Sequence, residues 1–210
     1  WDELAGAARA GSLSLAGKIV AHCSGATPSS VFRGAAALGA QVASMHPLYA
    51  VSSRLGGWNE LARCWFAIEG DDGACQALGG VLGRLGNHVA RIETAQKRRY
   101  HAAAVMASNL VVSLFDMAVG ELLACGFSHD DARRALAPLF LGNAEHVARA
   151  GARDALTGPA ARGDMATIAG HLACLDGDTR EAYRILTRRA LQLAGNERLA
   201  DELDEDPGVE

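Results

Sequence analysis

Between Lys97 and Cys125 the chain reads KRRYHAAAVMASNLVVSLFDMAVGELLAC, a run free of proline and interrupted by one glycine, Gly120. Such a run has the length and apolar content of a helix buried on most sides in a bundle. Yet Lys97, His101, Ser108, Asn109 and Asp116 are set into it. At about 100° per residue, Lys97, Ser108 and His101 fall within an arc of roughly 40°, with Asp116 and Asn109 about 60–80° further round. A buried helix must satisfy each polar group it carries. Two readings follow. Asn109, Ser108 and Asp116 bond to neighbouring helices while Lys97 and His101 sit wet at the N-terminal end, or the stripe lines a cleft where a ligand meets the helix. Asn109 and Asp116, near the middle of the run, argue against a membrane span.

The chain on either side of this run differs in kind. Before it, short β-like runs alternate with helical ones: a helix over 2–10, KIVAHC at 18–23, a helix over 28–38, a strand at 41–45, an irregular segment over 48–62, CWFAI at 64–68, a helix over 71–85 and a strand at 88–92. That alternation indicates a layer of largely parallel strands. After it, only helical patterns appear, over 128–151, 165–175 and 179–194, with a loop LTGPAARGD at 156–164. Ser128 and Asp131 make an acidic capping box, and Pro138 should kink or break the helix that follows. The fold class expected is therefore α/β followed by all-α. The expected domains are 1–95, 96–196 and a frayed acidic tail, 197–210. The opening WDELAGAARAG, starting at Trp1, reads as the middle of a longer protein.

A formal net charge of −4 argues against nucleic acid as a partner. Five cysteines without a CxxC pair read as reduced, mostly buried thiols, which points to the cytoplasm. Four places carry candidate chemistry. HCSGA ends a strand with Cys23, Ser24 and Gly25, where small residues admit a ligand to the backbone. SMHPL ends the next strand, with His46 held extended before Pro47. The helix stripe offers Lys97 and His101 as proton donors and Asn109 to fix a carbonyl. LTGPAARGD offers Arg162 and Asp164, with His171 one helix later; Arg162 either pairs with Asp164 or clamps a carboxylate. Each also has a plainer reading as turn, core or scaffold. No GxGxxG or GxxxxGK[ST] phosphate loop is present, and no HxxxH spacing marks a metal site.

Taken in order, HCSGA, SMHPL, Lys97 ahead of YHAAAVMASN, LTGPAARGD and AGHLACL resemble a family of two-domain proteins. These pair a Rossmann-like NAD(P)-binding domain with a helical C-terminal domain of unknown function. They are similar to 6-phosphogluconate dehydrogenase, the β-hydroxyacid dehydrogenases and ketopantoate reductase. The likeness runs over residues 13–194. It implies a partial Rossmann-like sheet, a helical bundle that forms a homodimer, NADP or NAD as cofactor, and a small oxo acid, carbonyl or imine as substrate. It implies Lys97, His101 and His46 as the catalytic group. Ser24, Asn109, Arg162, Asp164 and His171 are implied for the substrate, and Cys23, Ser24 and Gly25 for the cofactor. In the hydroxyacid relatives a Lys and an Asn one helical turn apart face the substrate; here Lys97 and His101 have that spacing, and Asn109 lies further on. The alternative is a dimerising or ligand-sensing module without a nucleotide site.

Overall fold

The computed structural model describes residues 1–50 and 61–205. Most of the segment expected to be irregular, 51–60, and the end of the acidic tail, 206–210, lie outside the described residues. The chain divides into two compact units, Trp1–Val112 and Ser113–Glu210.

The first unit holds α1 (Asp2–Arg9), β1 (Ile19–His22), β2 (Gln41–Pro47), β3 (Trp65–Gly70), α2 (Asp72–Arg84), β4 (His88–Arg91) and α3 (Lys97–Met106). The four strands form one sheet in sequence order. β1 and β2 run parallel, with His22 opposite Ser44, and β3 and β4 run parallel, with Trp65 opposite His88. With two of its three pairings parallel the sheet is largely parallel, as expected, and the central pair β2 and β3 is antiparallel. The reason is visible in the sequence: the segment between them carries no helical periodicity, and a parallel return needs a crossover, usually a helix. Phe66, Ala67, Ile68 and Glu69 are all buried, as befits an inner strand. A correction concerns 28–38, which forms two short 3₁₀ turns, Ser29–Val31 and Ala36–Leu38, instead of a helix. Gly34, at φ +77°, interrupts the run, and Ser29 is bonded to Glu69 through both its amide and its hydroxyl. Leu15, Ala35 and Ala40 form a core with Trp1, Val20, Phe32 and Val42 around it.

The long run splits. α3 ends at Met106, and α4 (Asn109–Ala124) follows after Ala107 and Ser108. The Ser108 hydroxyl donates to the Ala104 carbonyl at 2.7 Å, a back-bond that competes with the helical ladder and bends helices. The helical stretch Thr94–Ala124 is long and apolar enough, by length and composition, to cross a membrane.

The second unit holds α5 (His129–Ala150), α6 (Ala152–Ala155), α7 (Gly158–Arg162), α8 (Met165–Cys174), α9 (Gly177–Leu193) and α10 (Glu197–Glu205). Ser128 caps α5 by accepting from the Asp131 amide, as expected. Pro138 neither breaks nor ends that helix; it lies on an exposed stretch, where water can serve the carbonyl left unpaired. LTGPAARGD is not a plain loop. Pro159 opens one helical turn and Gly163, at φ +66°, closes it. The acidic segment expected to fray is helical through Glu205, because Ala200 and Leu203 join Ala160, Ile168, Leu172 and Leu191 in the core of this unit. Among the described residues, no strand follows Arg91.

Candidate functional site

The carboxyl ends of β1 and β2 lie side by side, and the turn after β1 is held by its own side chains. His22 Nδ1 accepts from the Ser24 amide at 3.2 Å, so the ring proton sits on Nε2 and is directed at the Pro28 carbonyl, 3.4 Å away. The Ser24 hydroxyl accepts from the Thr27 amide at 3.1 Å. Cys23, between these two residues, is exposed. The Cys23–Ser24–Gly25 turn is thus fixed from below by residues of its own loop.

Beneath the turn lies a buried polar cluster. On β2, Ser44 and His46 are two residues apart and share a face. The Ser44 hydroxyl donates to the Ser24 carbonyl at 3.3 Å, and Lys97 Nζ donates to Ser44 Oγ. Lys97 is only 1% exposed. That overturns the reading in which it sits wet at the helix end. Burial pushes its ammonium below the ordinary lysine value, with Glu69 and then Cys23 opposing the shift. Glu69, also 1% exposed, accepts from the Ser29 amide, the Ser29 hydroxyl and the Thr94 hydroxyl, each at 2.7 Å. One carboxylate therefore ties the loop after β1 to the turn that starts α3.

Above the cluster, three rings converge. Lys97, Tyr100 and His101 share a face of α3, being three and four residues apart. The His46 and Tyr100 rings meet edge to face at 5.6 Å, with His46 Nδ1 2.7 Å from the phenol oxygen. The His46 and His101 rings meet in the same manner at 6.0 Å. Both imidazoles close on Gly25. A Cβ there would lie 2.9 Å from His46 Nε2 and would overlap the His101 ring, so only glycine admits them. Burial, then Lys97, then His101 hold His46 below its ordinary value. Burial pushes the Tyr100 phenol up to about 12. The site thus combines a neutral imidazole, a neutral phenol and a buried ammonium beside a strand-end turn. Such a set can bind an oxygen atom and move a proton to it.

The remaining sequence candidates lie elsewhere. Asn109 is exposed at the break between α3 and α4, with its side-chain oxygen 3.1 Å from the Ser108 hydroxyl oxygen. In the second unit Asp164 caps α8, accepting from the Thr167 amide at 3.1 Å and hydroxyl at 2.8 Å. Those bonds, side chain first, hold its carboxyl below the usual range. Arg162 approaches it only to 3.9 Å and is largely exposed. His171 Nδ1 lies 2.6 Å from the Tyr183 hydroxyl. Both residues line an apolar groove of about 610 Å³ shared by Leu114, Met117, Leu122 and Leu186. The thiols depart from expectation too: Cys23, Cys125 and Cys174 are exposed, and only Cys75 is buried.

Sequence reasoning passed over Ser44, Glu69, Thr94 and Tyr100. A signal existed for two of them. Ser44 sits two residues before His46, on the same strand face, and Tyr100 sits one turn after Lys97. Glu69, closing an apolar run, gave no sign of its three donors.

A family model described as a domain of unknown function, DUF2520, matches residues 64–190. The crystal structure of protein TM1727 from Thermotoga maritima is similar at TM-score 0.72 and 25% identity, over 86% of this chain and 70% of that one. Protein BF3122 from Bacteroides fragilis, provisionally assigned as an NADP oxidoreductase, is similar at TM-score 0.64 and 24% identity, over 83% of this chain and 65% of that one. No curated protein matches.

Proposed function

The chain belongs to the DUF2520 family, and from that premise we propose that it is part of an NAD(P)-dependent oxidoreductase reducing a small oxo acid or a related carbonyl or imine. The observation that carries this reading is the convergence of His46 and His101 on Gly25, at the carboxyl end of β1. Ligands of open α/β sheets sit at that edge. The provisional assignment of BF3122 is in keeping with it.

The residues present fit only the reactive end of such a cofactor. The Cys23–Ser24–Gly25 turn offers close backbone approach, whereas the sequence holds no Gly-rich phosphate loop. When bound, NAD(P)H supplies the hydride. The chain's own residues orient the substrate and deliver the proton to its oxygen or nitrogen. Burial favours His101 over Lys97 as that donor, since Lys97 Nζ is engaged with Ser44. Lys97 then acts through its charge, which adds to burial in keeping His46 neutral.

The test is loss of NAD(P)H absorbance with a panel of small oxo acids and cyclic imines. His101→Gln should lower kcat and kcat/KM together, by about 10²–10⁴-fold, as expected for loss of a general acid. A protein that binds NAD(P)H but turns over none of the panel would favour the ligand-sensing alternative, for which the apolar groove in the second unit is the supporting observation.

A further inference from the structure

Tyr100 is given no step of its own in the oxidoreductase reading, yet its hydroxyl meets the ring nitrogen of His46 that faces away from Gly25. We propose that Tyr100 is a positioning residue: its hydroxyl donates to His46 Nδ1, fixes the imidazole proton on Nε2, and so makes His46 a hydrogen-bond donor toward a substrate oxygen at the Gly25 turn. This rests on the oxidoreductase reading for the identity of the oxygen, but the tautomer stands on geometry.

A phenol carries one proton, and its only hydrogen-bond partner among the described residues is His46 Nδ1, at 2.7 Å. If Nδ1 carried the proton instead, the phenol proton would lose that acceptor, and part-buried polar groups are seldom left so. Lys97 offers no acceptor; its Nζ lies over the Tyr100 ring, 6.0 Å from the centroid. The other groups facing His46 are the His101 ring, at 6.0 Å, and the Gly25 backbone. The phenol stays protonated far above neutral pH because burial disfavours the phenolate. His46 itself stays neutral, held so by burial, Lys97 and His101. With Nδ1 committed as acceptor, the proton on Nε2 lies on the side of the Gly25 turn and the His101 ring. The same logic gives His22 its tautomer, there with a backbone amide as the donor.

The experiment is long-range proton–nitrogen correlation NMR on protein labelled with nitrogen-15 in its histidine rings. It is run at about pH 8, where even an unperturbed imidazole is neutral. The His46 signals are identified by their loss in His46→Gln. A protonated Nε2 with a bare Nδ1 is expected, and a protonated Nδ1 overturns the proposal. In Tyr100→Phe the His46 signals should move toward a mixture of tautomers; an undiminished Nε2–H population there also overturns it. Should Tyr100→Phe fail to fold, the wild-type spectrum still decides. Oxamate, an oxo-acid mimic, then tests the functional reading separately. It should shift the Nε2–H signal, and an expected tautomer that ignores saturating oxamate would sink the oxidoreductase reading while leaving the Tyr100 assignment in place.

Discussion

At the scale of single residues, the site depends on a missing side chain. Gly25 has no Cβ, and both imidazoles occupy the space one would take. Gly25→Ala should leave the sheet intact, because the turn is held independently by His22, Ser24 and Thr27. It should cost about 1–3 kcal/mol from overpacking and separate His46 from His101, seen as changed ring shifts for both. Unchanged shifts would contradict the packing. His46 also sets a pH dependence. Its folded value lies below the roughly 6.5 of an unfolded chain. Between the two values the unfolded state binds the extra proton, so stability is lost as pH falls through that window and is present in full above it. Melting temperatures from pH ~7 to ~5 should therefore fall more steeply for wild type than for His46→Asn. Parallel curves would show that the imidazole is not held neutral by the fold.

At the scale of elements, Glu69 joins the loop after β1, the inner strand β3 and the start of α3. Glu69→Gln keeps the volume but replaces a two-oxygen acceptor with one oxygen and an amide that must itself donate. One of the three donors is then unmatched, and a loss of about 1–3 kcal/mol in urea unfolding is expected. Thr94→Val removes one of the same bonds and should be less than additive with it; full additivity would mean the cluster does not act as a unit. Much of this architecture was legible. The strands carrying Ser24 and His46, the helix carrying Lys97 and His101, and their shared edge all follow from alternation, turn residues and helical spacing. What was not legible depended on partners distant in sequence. Ser29 bonds to a carboxylate forty residues away, so its short stretch reads as helix by local pattern and forms a 3₁₀ turn instead. The long run reads as one helix, because nothing in its composition reveals that Ser108 will bond back to Ala104. The acidic 197–205 segment reads as tail until Ala200 and Leu203 find a core.

At the scale of the whole molecule, the long apolar run poses the question its sequence first raised: what covers it. Val112, Leu110 and Leu114 on α4 and Leu139 and Leu141 on α5 are exposed, Val112 at 70% and Leu139 at 71%. Among the described residues, α4 and α5 are pinned by Phe115 against Phe140, whose rings meet edge to face at 5.2 Å. Isolated exposed leucines need no explanation, whereas exposed apolar side chains gathered on α4 and on α5 call for a cover. A membrane would cover it, and the length of Thr94–Ala124 is sufficient. Lys97, buried against Ser44 inside that same stretch, is tied into the polar cluster of the first unit and speaks for a protein cover. The proposal is a two-fold homodimer in which α4 and α5 of each chain cover those of its partner. Light scattering at micromolar concentration should give the mass of two chains. Val112→Glu with Leu139→Glu should give the mass of one, because a carboxylate buried in an apolar interface is costly. The ring signals of His46 should be unchanged by that pair of substitutions if the first unit folds on its own core of Leu15, Ala35 and Ala40. A wild-type monomer would sink the dimer, and a monomer that partitions into lipid vesicles would assign the run to the membrane.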